Sequence, residues 1–153
     1  MMLIILCLLI GIIAGLRAMI APAAVSWAAA LGYLDLSGTW LAFLGFRFMP
    51  WIFTLVALGE LVTDQLPSTP SRKVPVQFAT RLLMGGLSGA ALGADGGMLL
   101  AGAILGVIGA VIGTFGGAAL RGRLATMFGK DLPAALIEDA IAVVGAALIV
   151  YAL

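Results

Sequence analysis

The sequence predicts an all-α integral membrane protein, a bundle of about five transmembrane helices that forms a single domain over residues 1–153. The first observation is composition: 63% of the residues are hydrophobic and only 10% are charged, whereas soluble chains are close to a quarter charged. The second is the length of the apolar runs, because a helix needs about 20 apolar residues to cross a bilayer. The third is the formal net charge of +1, which leaves no basic stripe for phosphates, so we expect no nucleic-acid partner.

The apolar runs and their breakers define five predicted spans. The first covers about 2–32 and is either one long tilted helix or two pieces broken near Ala21 and Pro22. Pro50 predicts a kink or a start in the second span, and Asp131 predicts the N-cap of the last, with Pro133 just inside it. The remaining spans are about 41–66, 77–94, 98–119 and from 131 to 153.

The basic residues predict an orientation. With five spans, Asp35 and Asp95 fall on one side of the membrane and most of the basic residues on the other. The positive-inside rule then places the amino terminus in the cytoplasm and the carboxyl terminus outside. The basic residues that agree are Arg72, Lys73, Arg81, Arg121, Arg123 and Lys130.

Glycines recur every four residues in the third and fourth spans, a spacing that forms one ridge and lets helix backbones approach closely. Packing between neighbouring helices of one chain explains the ridges, and a homodimer interface is the alternative. The bilayer and such a homodimer are the expected partners. The glycines concerned are Gly85, Gly89, Gly93, Gly109, Gly113 and Gly117.

Five charged residues within the apolar runs are candidates for buried ion pairs or for a substrate or ion pathway. Arg17 is predicted to pair with Glu60, Asp64 or Glu138, and Glu60 is the favoured partner. Asp139 is expected near the interface, because neighbouring residues on a helix point in different directions. Such groups are costly in a membrane, so they form either a structural salt-bridge network or a proton- or cation-coupled site.

Four basic residues are candidates for contacts with an anion or a lipid headgroup: Arg72, Lys73, Arg81 and Arg121. The alternative for the loop that holds Arg72 and Lys73 is an ordinary positive-inside loop. No histidine is present and Cys7 is the only cysteine, so neither a disulfide nor a soft metal site is indicated. Because no catalytic motif is recognised, we expect no cofactor.

A weak internal echo suggests an inverted repeat. Gly11 and Gly15 have the spacing of Gly109 and Gly113, and each pair is followed by a proline-led helix with a glutamate. If the halves run in opposite directions, the pattern is that of inverted-repeat transporters.

Three segments resemble the membrane-protein family catalogued as domain of unknown function 4126. They are 15–27 (GLRAMIAPAAVSW), 60–70 (ELVTDQLPSTP) and 136–140 (LIEDA). The resemblance covers nearly the whole chain, and it implies a small polytopic protein of the bacterial inner membrane without an established activity.

Three functions remain open. The leading hypothesis is a transporter- or channel-like protein for a small solute or ion, with the charged side chains along a polar path. The second is a membrane enzyme acting on a lipid-linked or phosphorylated substrate, in which Glu60 and Asp64 bind a divalent cation. The third is a structural or accessory subunit.

Overall fold

A computed structural model describes residues 1–64 and 74–153, and in these residues the regular structure is entirely helical. The all-α prediction is therefore confirmed. The helices are α1 (Met2–Leu16), α2 (Ile20–Ala30), a short 3-10 helix (Trp40–Gly45), α3 (Met49–Thr63), α4 (Pro75–Asp95), α5 (Leu99–Phe128) and α6 (Asp131–Tyr151).

Helices α4 and α5 form an antiparallel pair in which glycines face glycines. Gly85 lies against Gly106, and Gly89, one turn later, lies against Gly102. A Cβ atom on Gly85 would come within 2.7 Å of the carbonyl oxygen of Gly106. Only glycine allows backbones to approach this closely, so the ridge spacing determines how the two helices pack.

Helix α1 packs on the same pair and runs parallel to α5. Gly11 lies against Gly106, and Gly15 lies against Gly113. Leu3, at the start of α1, reaches Gly96 in the turn between α4 and α5. The six glycines named as a homodimer surface are all buried within the chain. The intramolecular alternative explains them, and a homodimer, which stays a prediction, would need another surface.

Helices α1 and α2 form a hairpin. The chain breaks at Arg17, whose backbone is extended (φ −142°, ψ 112°), and α2 begins at Ile20. Beyond α2, the backbone N–H of Asp35 donates to a carboxylate oxygen of Asp95, 3.0 Å away. The chain thus returns to the end of the molecule where α1 begins, which we call the Asp95 end.

The remaining helices also alternate in direction between the two ends of the molecule. Helix α3 is antiparallel to α2, because Thr54 bonds to Trp27 while Glu60 bonds to residues 18 and 19. Helix α5 ends at Phe128 and is followed by Gly129, whose φ of +67° favours glycine, and α6 then runs back toward the Asp95 end. The turn between α5 and α6 marks the opposite end, which we call the Lys130 end.

Five spans are not confirmed. In the described residues, two helices are long and apolar enough to cross a membrane, α5 and α6. Helices α1, α2 and α3 have 15, 11 and 15 residues, short of the roughly 20 that a straight span needs. The first run is indeed two helices, but the break lies at 17–19 and Pro22 is in the first turns of α2.

Other boundaries also differ from the prediction. Of the two alternatives for Pro50, the start is confirmed and the kink is not: Pro50 is the second residue of α3, and the 3-10 helix precedes it where the second span was expected to begin. Helix α5 continues without interruption to Phe128. Lys130, not Asp131, is the N-cap residue of α6.

Two predictions about symmetry and direction conflict with the helix directions. Helices α1 and α5 carry the two similar glycine motifs, and they run parallel, which does not fit an inverted repeat. The amino-terminal end of α1 lies with Asp35 and Asp95 rather than with Arg121 and Lys130. Because α1 and α2 form a hairpin rather than one span, the first residues lie at the end opposite to the one expected.

Candidate functional site

Every α-helix contributes to one group of charges toward the Lys130 end, which we call the charged cluster. It joins three arginines to four carboxylates, and α2 takes part through the backbone amides of the two residues that precede it, Ala18 and its N-cap Met19. The cluster consists of Arg17, Arg81, Arg121, Glu60, Asp64, Glu138 and Asp139.

Arg17 lies at the centre of the cluster and is completely buried. Its Nε donates to Oδ1 of Asp139 at 2.6 Å, and its Nη1 donates to Oδ2 of Asp64 at 2.9 Å. Nη2 lies 3.7 Å from Oε2 of Glu138. The guanidinium thus ties the end of α1 to α3 and α6, as charge-assisted bonds of an arginine allow.

Glu60 does not pair with Arg17, so the favoured pairing is wrong. Its two oxygens instead accept the backbone N–H groups of Ala18 and Met19, each at 2.8 Å. These amides lie immediately before α2, whose N-cap residue is Met19, and the unpaired N–H groups and the dipole at a helix start stabilise a negative charge. The nearest arginine nitrogen is Nη2 of Arg81, 3.9 Å from Oε1.

Arg81 is buried, with an exposed fraction of 2%, and not available to a headgroup. Its Nη1 donates to the carbonyl oxygen of Gly15 at 2.6 Å. Its Nη2 lies 3.8 Å from Oδ2 of Asp64. Cations are stabilised at the carboxyl end of a helix, so Arg81 caps α1 while Glu60 caps α2.

Arg121 connects the cluster to the surface. Its Nε and Nη2 donate to the carboxylate of Asp131 at 3.0 and 2.7 Å, and its Nη1 lies 3.6 Å from Oε2 of Glu138. The Asp131 side chain is 62% exposed. A carboxylate of the same chain therefore occupies the guanidinium that was predicted to hold an external anion.

Glu138 and Asp139 both face inward, which corrects the placement of Asp139 at the interface. Their exposed fractions are 1% and 9%. The two side chains point in directions about 100° apart around α6. Both are buried because α6 packs against helices on two sides. Arg72 and Lys73 lie outside the described residues, so their predicted anion contacts stay predictions.

The sequence contained a signal that Arg81 is buried, although its charge favoured a contact outside the bundle. Arg81 precedes Gly85, Gly89 and Gly93 by steps of four residues, so it lies on the ridge that faces α1 and α5. The backbone amides of Ala18 and Met19 had no such signal, because nothing in the composition of 15–20 marks a break at Arg17.

Carboxylates outnumber arginines in this region. Besides Asp64, Glu138 and Asp139, the carboxylates of Asp131 and Glu60 lie within 4 Å of an arginine, that of Glu60 only at 3.9 Å. Glu60 is held mainly by neutral amides. It is therefore the carboxylate that can bind a proton at the least cost to the arginines, since a buried charge without a partner is strongly destabilising.

The metal hypothesis for Glu60 and Asp64 gains no support from this geometry. Both carboxylates already accept hydrogen bonds from amides or from Arg17. Within residues 1–64 and 74–153, no group of three or more histidine, cysteine or acidic side chains is arranged to hold a metal ion.

Comparison with known proteins adds no family or function. No family model matches the chain, and no curated protein and no solved structure matches it. The resemblance to the domain of unknown function 4126 family therefore stays a prediction.

Proposed function

We propose that this chain is a small transporter- or channel-like protein of the bacterial inner membrane, and that the charged cluster moves a proton. The membrane location is supported by the apolar helices α5 and α6. It is also supported by the many large apolar side chains on the outer surface, such as Leu55, Leu83 and Leu100, which are 67–72% exposed. A soluble monomer rarely exposes so much contiguous apolar surface.

The orientation we propose has the Lys130 end in the cytoplasm. Arg121, Arg123 and Lys130 lie toward that end, and Asp35 and Asp95 lie at the other. The positive-inside rule favours this assignment. The amino-terminal end of α1 is then outside, opposite to the side expected from five spans.

The observation that carries the proposal is the bond between Glu60 and the α2 amides. Both carboxylate oxygens are needed to accept from Ala18 and Met19. A proton on one oxygen removes an acceptor and the negative charge that the α2 dipole stabilises. Proton binding therefore weakens the attachment of the hairpin tip to α3, which couples protonation to a movement.

Partial exposure of the carboxylates supports the same proposal. The side chains of Glu60 and Asp64 are 15% and 12% exposed, whereas that of Arg17 is 0% exposed. Water can thus reach the carboxylates at the edge of the cluster without reaching its centre. Intramembrane carboxylates with this placement are typical of proton relays.

Proton flux into liposomes tests the proposal. Purified protein is reconstituted with the pH dye pyranine inside, and a potassium gradient with valinomycin drives proton entry. We expect acidification faster than in protein-free liposomes, and a fall to the protein-free rate for Glu60→Gln. Asp95→Asn is the matched control, because it removes a carboxylate at the other end and should keep the flux. Equal flux in Glu60→Gln and wild type, or no flux in wild type, contradicts the proposal.

A structural or accessory subunit is the second candidate, and the complete burial and multiple pairing of Arg17 favour it. Under this alternative the cluster only holds helices together. Glu60→Gln would then lower stability while wild-type liposomes take up protons no faster than protein-free ones.

A further inference from the structure

The tryptophans and tyrosines of this chain all lie toward the Asp95 end. The sequence contains three tryptophans and two tyrosines. Tyr33 follows α2, Trp40 begins the 3-10 helix, and Tyr151 ends α6, which runs toward the Asp95 end. Trp27 and Trp51 lie near the same ends of α2 and α3, and their rings pack edge-to-face with centroids 5.0 Å apart. These amphipathic aromatic side chains are therefore confined to one end of the molecule.

The connection between α2 and α3, residues 31–48, has one buried side and one aromatic side, and we call it the aromatic segment. Its buried side consists of four leucines with exposed fractions of 0–4%: Leu34, Leu36, Leu41 and Leu44. Gly45, at the end of the 3-10 helix, lies against Ala29 of α2. Its outer side carries four aromatic residues that are 56–67% exposed: Tyr33, Trp40, Phe46 and Phe48. The leucines thus fix the segment so that its aromatic side faces outward.

The lengths of α2 and α3 place the aromatic segment close to the surface of the proposed membrane. Helix α2 begins and α3 ends at the charged cluster, and they have 11 and 15 residues. They rise about 16 and about 22 Å, less than the hydrocarbon thickness of about 30 Å. The segment therefore does not extend far into the water. Residues 31–39 lie outside the regular helices, and such backbone does not face lipid within the hydrocarbon, so the interface is the position that remains.

Arg47 is the one described basic side chain toward the Asp95 end, and it is exposed. Its Cζ lies 5.6 Å from the ring centroid of Phe48, within the range of a cation–π contact. Arg47 forms no ion pair with any residue that the structure describes. The acids at this end are held by other donors: Asp35 accepts from the backbone N–H and the hydroxyl of Ser37, and Asp95 accepts from the backbone N–H of Asp35. The Arg47 guanidinium is thus left to bind an anion from outside the chain.

We propose that the aromatic segment binds phospholipid headgroups of the leaflet at the Asp95 end, and that Arg47 binds the lipid phosphate. A phosphodiester supplies the negative charge, and a guanidinium donates paired N–H groups to phosphate oxygens. Tryptophan and tyrosine are typical of the headgroup level. A lipid is favoured over a second protein because the exposed apolar surface continues along α3, where Ile52 and Leu55 are 49% and 69% exposed. The inference rests on the proposed membrane location, but it does not require that the protein moves protons.

Native tryptophan fluorescence tests the depth of the aromatic segment, because all three tryptophans lie toward the Asp95 end. Wild-type protein is placed in nanodiscs whose phospholipids carry bromine either near the headgroup or near the end of the acyl chain. We expect stronger quenching by the bromine near the headgroup. Stronger quenching by the deeper bromine would place the segment in the hydrocarbon. No quenching by either lipid would place it in water or beneath a protein partner, and each of these two results overturns the proposal.

Titration of brominated phosphatidylglycerol into the detergent-solubilised protein tests the contact with Arg47, again through tryptophan emission. Arg47→Gln should weaken the apparent affinity about fivefold, the effect of one basic residue at an anionic membrane surface, and Arg47→Lys should keep most of it. Arg123→Gln is the matched control, because Arg123 is an exposed arginine toward the Lys130 end, and it should keep the wild-type affinity. Circular dichroism verifies that the variants stay helical.

Two results of this titration would overturn the proposal. The first is an unchanged affinity in folded Arg47→Gln, or a loss equal to that of Arg123→Gln. The second is a wild-type dimer that Arg47→Gln converts to a monomer at unchanged lipid affinity, because a second copy would then be the partner.

The two proposals fail separately. Loss of headgroup binding in the quenching assays leaves the pyranine result with Glu60→Gln unaffected, because Glu60 lies toward the other end. A negative flux result with retained headgroup binding would instead remove proton movement and keep the lipid contact of Arg47.

Discussion

Arg17 is the residue on which the arrangement of the helices most depends. A guanidinium with no exposed surface is tolerated only when carboxylates surround it, and here Asp64, Glu138 and Asp139 do so. The sequence predicted a buried partner for Arg17 because the charge lies in an apolar run. It could not predict which carboxylate, because Glu60 and Asp64 are one turn apart and differ only in what faces them.

Arg17→Met should destabilise the folded protein by about 3–5 kcal/mol, because it leaves buried carboxylates without a counter-charge. Adding Asp139→Asn should recover part of the loss, with a coupling free energy of about 0.5–3 kcal/mol. Denaturant unfolding in detergent, followed by circular dichroism, measures both values. Strict additivity of the two single effects would show that the pair does not interact.

At the scale of the elements, α5 is the helix on which α1 and α4 are assembled. Gly106 lies where the three backbones meet, against Gly11 on one side and Gly85 and Gly89 on the other. The four-residue spacing predicted this contact surface correctly. Two pieces in the first run were one of the predicted alternatives, but their arrangement as a hairpin was not predicted, because hydropathy reports the length of an apolar run and not its direction.

Gly106→Ala should destabilise the protein by about 1–3 kcal/mol or more, since the added methyl group overlaps the carbonyl oxygen of Gly85 and cannot be moved aside. Gly116→Ala is the control on the same helix, where a Cβ meets nothing within 4 Å. It should be neutral or stabilise by up to about 1 kcal/mol through helix propensity. Thermal unfolding of the two variants in one detergent gives the comparison. Equal effects would mean that the close backbone contact does not form.

At the scale of the whole molecule, the six α-helices of the described residues alternate in direction, and the first residues of α1 share an end with Asp35. The five-span prediction counted the first run as one crossing, so it assigned the amino terminus to the side of Lys130. The placement of Asp35 and Asp95 at one end was predicted correctly, whereas two residues of the predicted basic side, Arg72 and Lys73, lie outside the described residues.

Cysteine labelling in intact cells tests this arrangement. In a Cys7→Ser background, Met2→Cys and Ser37→Cys should react with a membrane-impermeant thiol reagent from the same side. Lys130→Cys should react only from the other side. Reaction of Met2→Cys together with Lys130→Cys would instead support five spans and contradict the hairpin.

The central claim is that protonation of Glu60 releases the tip of the hairpin toward the Lys130 end. The most direct measurement is the labelling rate of Met19→Cys in everted vesicles as a function of pH, divided by the rate of Lys130→Cys in the same background. The account predicts that this ratio rises as the pH falls and Glu60 loses its charge. It also predicts that Glu60→Gln makes the ratio high at every pH. A ratio that does not change with pH in the wild-type background would contradict the account.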